Sequence, residues 1–243
     1  MSQVAQIHNL DLVRVAVEKL NGRQAGLPGF ACLYGPAGYA KTTSLVTVGN
    51  ATRAYYIQMR SAWGRKAMLE NILIEMSLAS RNGKSPGTIP QMLDQVTQQL
   101  SASGRPLIID EFDHCCRTDN MVELVRDIYE GSQSTIIIAG EEMLPQKLKR
   151  WERFHSRVLS WIPAQPVSLA DARALAPIYC NGVAIADDLL QHLVGISGGS
   201  VRRVCVNLAG IQEEAAIEGW EKVSRAQWAD RPLYTGEAPR RAA

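Results

Sequence analysis

Five stretches of this 243-residue chain hold apolar runs, FACLYG, AYYIQM, RPLIIDEF, STIIIAG and RVLSWIPAQPVSL, and helical stretches separate them. A strand with one face in water alternates apolar with polar residues. Strands that are apolar nearly throughout are buried on both faces, as in parallel sheets covered by helices. The intervening segments read as helices over roughly 66–80 and 89–102. A third is capped at Asp119 or Asn120, with Glu123 as capping-box partner, and runs through Tyr129. Ile7, Leu10, Val13 and Val17 fall at helical spacing and predict a further helix over 9–21. From Ser168 onward no run reads as a strand, and three helical stretches (169–179, 186–196, 200–217) follow. The expected fold class is α/β: a three-layer domain with a parallel five-stranded sheet, then a small all-helical lid. The expected division is 1–27 (N-terminal helix and connector), 28–167 (nucleotide-binding core), 168–218 (lid) and 219–243 (a polar, partly disordered tail).

Bulk properties narrow the class only slightly. A formal net charge of +2 gives no general affinity for polyanions, so any basic surface is local. Five cysteines without a C-x-x-C pair fit a reducing compartment. No signal peptide and no apolar run of about eighteen residues is present, so a cytoplasmic protein without membrane partners is expected.

Two segments carry chemistry. Residues 35–43 read GPAGYAKTT, between the first predicted strand and a helix. This is the G-x-x-x-x-G-K-[ST] phosphate loop with Ala40 where the second glycine belongs. In such a loop the N–H groups of Gly35, Pro36's successors Ala37, Gly38, Tyr39 and Ala40, and the helix start at Lys41, Thr42 and Thr43 surround the phosphates of ATP. Lys41 reaches the β/γ oxygens and the Thr42 hydroxyl ligates Mg²⁺. The strand in RPLIIDEF ends on Asp110, a carboxylate for the Mg²⁺ shell, and Glu111, placed to polarise the attacking water. Asp113, His114, Cys115 and Cys116 lie too close in sequence for all to face one ion, and no further metal site is expected. In RWERFHSRV, Arg157 is the candidate to reach a neighbouring subunit's γ-phosphate, with Arg153 as substitute. In GGSVRRV, Arg202 is the candidate nucleotide sensor of the lid, with Arg203 as alternative.

Taken together, the phosphate loop, PLIIDE, an arginine before the fifth strand and G-x-x-R in a helical lid resemble the AAA+ ATPases over about residues 28–217. Within them, the DEFDHCC…STIIIAGEEML…FHSRV layout looks most like the Mu-type phage transposition protein B and its TnsC and IstB relatives. That resemblance implies DNA-stimulated ATP hydrolysis and sequence-independent duplex-DNA binding as a helical oligomer that recruits a transposase. It also implies a bacterial host cell and a phage- or mobile-element origin. By the same resemblance the loop after the second strand, RSAWGRK, touches DNA phosphates through Arg60, Arg65 and Lys66, with Trp63 as its anchor; KLKRW (147–151) is a second candidate. Two departures stand out. The leader has no room for the helix-turn-helix domain of the Mu-type proteins, and AGEEM offers only Glu141 or Glu142 where a polar first sensor is typical.

Ala-Lys-[ST] also occurs in minichromosome-maintenance helicases and MoxR-type ATPases, which the loop resembles at this point. Alanine keeps the N–H that a phosphate needs. If Ala40 must take a positive φ, the cost is about 1 kcal/mol, enough to weaken nucleotide binding severalfold without abolishing it.

Overall fold

The computed structural model describes residues 4–237 except Asn82, Lys84 and Ser85. Along the chain lie α1 (His8–Asn21), β1 (Phe30–Tyr34), α2 (Lys41–Thr52), β2 (Tyr55–Gln58), α3 (Arg65–Glu75), α4 (Ile89–Ser103) and β3 (Leu107–Asp110). A 3-10 helix (Phe112–Arg117), α5 (Asp119–Ser132), β4 (Ile136–Gly140), α6 (Leu144–Leu148), α7 (Glu152–His155) and β5 (Val158–Pro163) follow. The chain continues through α8 (Leu169–Tyr179), β6 (Ala184–Ile185), α9 (Asp187–Ile196), α10 (Val201–Glu218), β7 (Lys222–Val223) and α11 (Arg225–Trp228). These elements form two compact units. A core unit holds residues 12–36 and 41–164; a C-terminal unit holds the residues up to 11, residues 37–40 and those from 165 on.

The core unit is built on a five-stranded sheet in the order β2-β3-β4-β1-β5, with every neighbouring pair parallel. The apolar runs explain it. Ile136, Ile137 and Ile138 of β4 and Leu107, Ile108 and Ile109 of β3 are fully buried, each side chain contributing about 1.5–3 kcal/mol through area removed from water. Phe30 at the start of β1 packs against Tyr129 and Phe154, with ring centroids 5.0 and 4.6 Å apart. Parallel strands all present their C-terminal ends on one side, so the residues after β1 and the last residue of β3 meet at the same edge.

Several elements differ from the sequence expectation. α3 stops at Glu75 rather than near residue 80, because Ser77 takes a left-handed φ of 60° and the Leu78 and Ala79 N–H groups both turn back to the Leu73 carbonyl. α5 is entered from Thr118, without a side-chain cap, and runs on to Ser132. The Asp119 carboxylate serves Arg150 (2.6 Å) and the Trp151 indole N–H (3.0 Å) instead, and Glu123 pairs with Arg126.

The C-terminal unit is helical, with one addition: β6 and β7 form a two-residue parallel pair that sequence patterning missed. Its last described segment is ordered by contacts that propensity does not reveal. Trp228 is buried, and the Asn207 side chain donates to the Tyr234 carbonyl (2.9 Å) and accepts from the Tyr234 N–H (2.7 Å). The expected disorder at the end of the tail falls on residues 238–243, outside the described residues. No described helix is long and apolar enough to cross a membrane.

Candidate nucleotide site

In the core unit β1 delivers the chain into the loop. The Ala164 N–H donates to the Tyr34 carbonyl (2.8 Å), and the chain leaves at Gly35, where φ is +153°. A side chain at Gly35 would meet the Ala164 Cβ at 2.9 Å, so glycine is required by space as well as by angle. Lys41, first residue of α2, curls its ammonium onto the loop's own carbonyls, 2.7 Å from Gly35 and 2.9 Å from Pro36. Partial burial pulls its pKa below the ordinary lysine range, and Asp110, Glu111, Asp113 and Glu141 oppose that shift. Thr42 donates its hydroxyl to Asp110 Oδ2 at 2.7 Å. Thr43 is exposed and its carbonyl takes the Thr47 hydroxyl.

Asp110 is only 2 % exposed and well supplied with donors. Besides Thr42, the Tyr56 hydroxyl reaches Oδ2 (3.0 Å) and the Glu111 N–H reaches Oδ1 (2.9 Å). Burial and then the Asp110 charge drive the Tyr56 phenol well above its ordinary pKa, so it stays a donor. Sequence reading missed Tyr56 because β2 meets β3 only in the folded sheet; its position beside Ile108 in the β2–β3 register is the signal. A buried carboxylate with a hydroxyl at 2.7 Å is a hard-oxygen donor set, and it suits Mg²⁺. Glu111 stands in the left-handed region (φ 55°, ψ 42°), a conformation that costs a non-glycine residue about 1–2 kcal/mol.

Asp113 forms a third acidic contact at this edge. Its Oδ2 accepts from the Glu141 N–H (2.7 Å) and its Oδ1 from Lys147 (2.6 Å). A side chain on Gly140 would overlap Asp113 Oδ2, so β4 must end in glycine here. The Glu141 and Glu142 side chains are exposed, and Glu141 lies 3.6 Å from Lys147. Burial first, then neighbouring charge, pushes the thiols of Cys32, Cys115 and Cys116 upward, that of Cys116 to about 12.

In the C-terminal unit, residues 37–40 pack with the segment that opens α10. Gly38 has φ +84°, and a Cβ there would sit 2.4 Å from the Ser200 hydroxyl. The Arg202 N–H donates to the Gly38 carbonyl (3.2 Å) and the Tyr39 hydroxyl to the Gly198 carbonyl (3.3 Å). Arg203 instead sends its guanidinium to the Ser197 carbonyl (3.2 Å), which separates it from Arg202. Ala40 takes φ +58°, the conformation that the missing glycine would have supplied freely. Asn9, 4 % exposed, was not anticipated. Its amide donates to the carbonyls of Tyr39 (3.0 Å) and Gln165 (2.8 Å) and accepts from the Gln165 N–H (2.7 Å).

Arg157 lies elsewhere. The Phe30 N–H donates to its carbonyl, which places it at the N-terminal end of β1. That is about 15 Å along the strand from the loop at about 3.3 Å per residue. Its guanidinium pairs with Glu130 and the Arg153 carbonyl. Arg157 therefore does not join Lys41 and Asp110 within one subunit.

The basic loop after β2 is rooted at the same edge as Asp110, whose carbonyl accepts the Met59 N–H (2.9 Å). Arg60, Arg65 and Lys66 are exposed; Arg60 lies over the Trp63 ring at 5.6 Å and Lys66 is 3.9 Å from Glu70. Trp63 packs its partly buried ring against the core. In 147–151, Lys147 and Arg150 are already held by Asp113 and Asp119, which leaves that stretch less available.

A family profile described as "AAA domain" matches residues 24–148, just over half of the chain. The chain belongs to the AAA domain family. Solved structures agree on the fold. The ORC2 protein of Aeropyrum pernix, solved as ADPNP–ADP complexes, is similar over 93 % of this AAA chain and 68 % of its own, with TM-score 0.66 and 16 % identity. Cdc6p of Pyrobaculum aerophilum gives 0.63 and 14 %, covering 92 % and 66 %. The Aeropyrum pernix ORC1 protein, solved in complex with DNA, gives 0.61 and 17 %, covering 93 % and 64 %. The AAA chain thus spans about two thirds of the length of these proteins and shares their fold: the P-loop NTPase core of AAA+ type with a helical C-terminal portion. No curated protein sequence matches it.

Proposed function

We propose that this AAA chain is an ATPase that binds duplex DNA through the phosphate backbone, oligomerises along it as a helical filament and serves a transposase in target selection. The reading places it with the Mu-type phage transposition protein B and its TnsC and IstB relatives. The observation that carries the ATPase part is the coincidence at one sheet edge of Lys41, Thr42, Asp110 and Glu111, joined by the 2.7 Å Thr42–Asp110 bond. ATP is the substrate. Lys41, whose ammonium donates to the Gly35 and Pro36 carbonyls, transfers to the β/γ oxygens. Glu111 takes a proton from the attacking water as the new P–O bond forms, while the bond between the γ-phosphorus and the β-bridging oxygen breaks. ADP and phosphate leave. Thr42 and Asp110 would hold Mg²⁺, which when bound neutralises charge on the phosphates. Arg202, whose backbone is already tied to Gly38, senses the γ-phosphate, and Arg157 acts on a neighbour's nucleotide because it lies far from its own loop.

The DNA part is supported by the exposed Arg60, Arg65 and Lys66 beside the Asp110 strand end. The test is titration of labelled random-sequence duplex with and without ATP, for the parent and for a variant with all three changed to alanine. The reading requires ATP-dependent binding that the triple variant loses. A second reading is a motor of clamp-loader or helicase-loader type, for which the likeness to the ORC and Cdc6 structures supplies the shared fold. Duplex unwinding or clamp opening by the purified protein would favour it. A nucleotide-gated protein-interaction module would hydrolyse ATP with no response to DNA.

A further inference from the structure

One short helix lies between Glu111 and the basic loop after β2. Glu111 caps the N-terminus of the 3-10 helix Phe112–Arg117, and Arg117 is the last residue of that helix. At a rise of about 2 Å per residue, the helix spans on the order of 12 Å. The exposed guanidinium of Arg117 reaches across to the loop after β2 and donates to the Ser61 carbonyl at 3.4 Å. Ser61 lies between Arg60 and the Trp63 anchor, so the bond grips the basic loop near its middle.

Between its ends the helix is packed into the core. Phe112 and Cys115 are fully buried, and Phe112 stacks on Phe154 at 5.5 Å. Arg117 and Glu111 are thus the two ends of one packed element. At the far end Glu111 sits in the left-handed region, where a non-glycine residue persists only if its surroundings hold it. Coupling between distant sites requires an element with two arrangements, and a residue held under strain at the head of this helix is the candidate for it.

We infer that Arg117 is the positioning residue through which DNA on the 60–66 loop sets the orientation of Glu111, so that nucleic acid controls hydrolysis. The inference rests on the DNA-binding reading proposed above. Arg117 is the fourth exposed cation of the patch formed by Arg60, Arg65 and Lys66. Its role is to link loop to helix, so its loss acts on the response to DNA more than on the affinity for it. The occupant is the phosphate backbone of duplex DNA, whose regular charges suit arginines displayed on a loop.

The test compares parent, Arg117→Ala and Arg117→Lys as full chains, with ATP and random-sequence duplex. Three quantities are read: DNA Kd, the ratio of ATP turnover at saturating DNA to turnover without it, and Tm. For Arg117→Ala the ratio falls at least about 5-fold, the low end of ordinary coupling between sites, while DNA Kd changes less than about 3-fold. Tm stays at the parent value because the side chain is exposed. Lysine restores part of the ratio, since an ammonium can also donate to the Ser61 carbonyl. A parent-like ratio in Arg117→Ala overturns the inference and leaves the DNA reading intact. So does a large loss of DNA affinity with a normal ratio once DNA saturates, which makes Arg117 a simple phosphate contact. If the parent neither binds nor responds to duplex DNA, while an acidic polypeptide stimulates it, both the inference and the DNA reading fall.

Discussion

Replacing Ala40 by glycine separates two places where the cost of the missing glycine can fall. Ala40 takes φ +58°, and the loop around it is held by the chain's own bonds: Lys41 bonds two loop carbonyls, and the Arg202 N–H holds the Gly38 carbonyl. The strain is therefore borne on folding and not on binding. Glycine relieves about 1–2 kcal/mol of left-handed strain in the folded state. It also adds chain entropy to the unfolded state, worth about 0.4–1 kcal/mol in the opposite sense. The net is a stabilisation on the order of 0.5–1 kcal/mol, which for a chain of this size raises Tm by about 1–4 °C. ATP affinity, measured by equilibrium titration of a fluorescent analogue, should move less than about 3-fold, because binding resets no torsion at this residue. An affinity gain of tenfold or more with unchanged Tm would place the cost on binding, since it would mean that the loop reaches its positive φ only when nucleotide arrives. Severalfold weaker binding, the expectation from sequence alone, assumed that second case.

Glu111→Gln should bind ATP and hydrolyse it at least about 100-fold more slowly, as for loss of a general base, in a steady-state phosphate-release assay; turnover at the parent rate would remove Glu111 from that role. Asn9→Ala strips partners from the Tyr39 and Gln165 carbonyls and the Gln165 N–H. It should destabilise the protein by about 1–3 kcal/mol in a thermal or urea melt, and Asn9→Asp should recover only the bond from Gln165. Changing Arg60, Arg65 and Lys66 together to alanine should flatten the slope of log DNA affinity against log salt by up to about 2.7, at about 0.9 per lost phosphate contact. Mixing Arg157→Ala with Lys41→Ala subunits should restore part of the ATPase activity that each lacks alone, if Arg157 acts on a neighbour's nucleotide.

The fold was legible wherever local pattern and tertiary environment agree. Ile136–Ile138 and Leu107–Ile109 read as doubly buried strands and are so, because a parallel sheet leaves no face in water to require alternation. Lys41, Thr42, Asp110 and Glu111 could be put forward from sequence because loop and strand end each hold their candidate residues consecutively, and the structure brings Thr42 to Asp110. Residues that act by meeting something distant were not. Tyr56 looks like an ordinary strand aromatic until β3 brings Asp110 beside it, 54 residues away. Asn9 looks like a helix-start asparagine, yet its partner Gln165 lies 156 residues away. Asp113 belongs to a suspected cysteine and acid cluster by sequence, and serves Lys147 and the end of β4 in space. The pair β6–β7 is too short for any periodicity to show.

On the proposed function, nucleotide chemistry at Lys41 and Glu111 governs attachment to DNA. The most direct measurement is electron microscopy of the protein with long random-sequence duplex, with ATP, with no nucleotide, and with the Lys41→Ala chain plus ATP. The expected result is regular protein filaments on DNA only for the parent with ATP, and more persistent ones for Glu111→Gln. Bare DNA in every condition, or equal coating by parent and Lys41→Ala without regard to ATP, would contradict it.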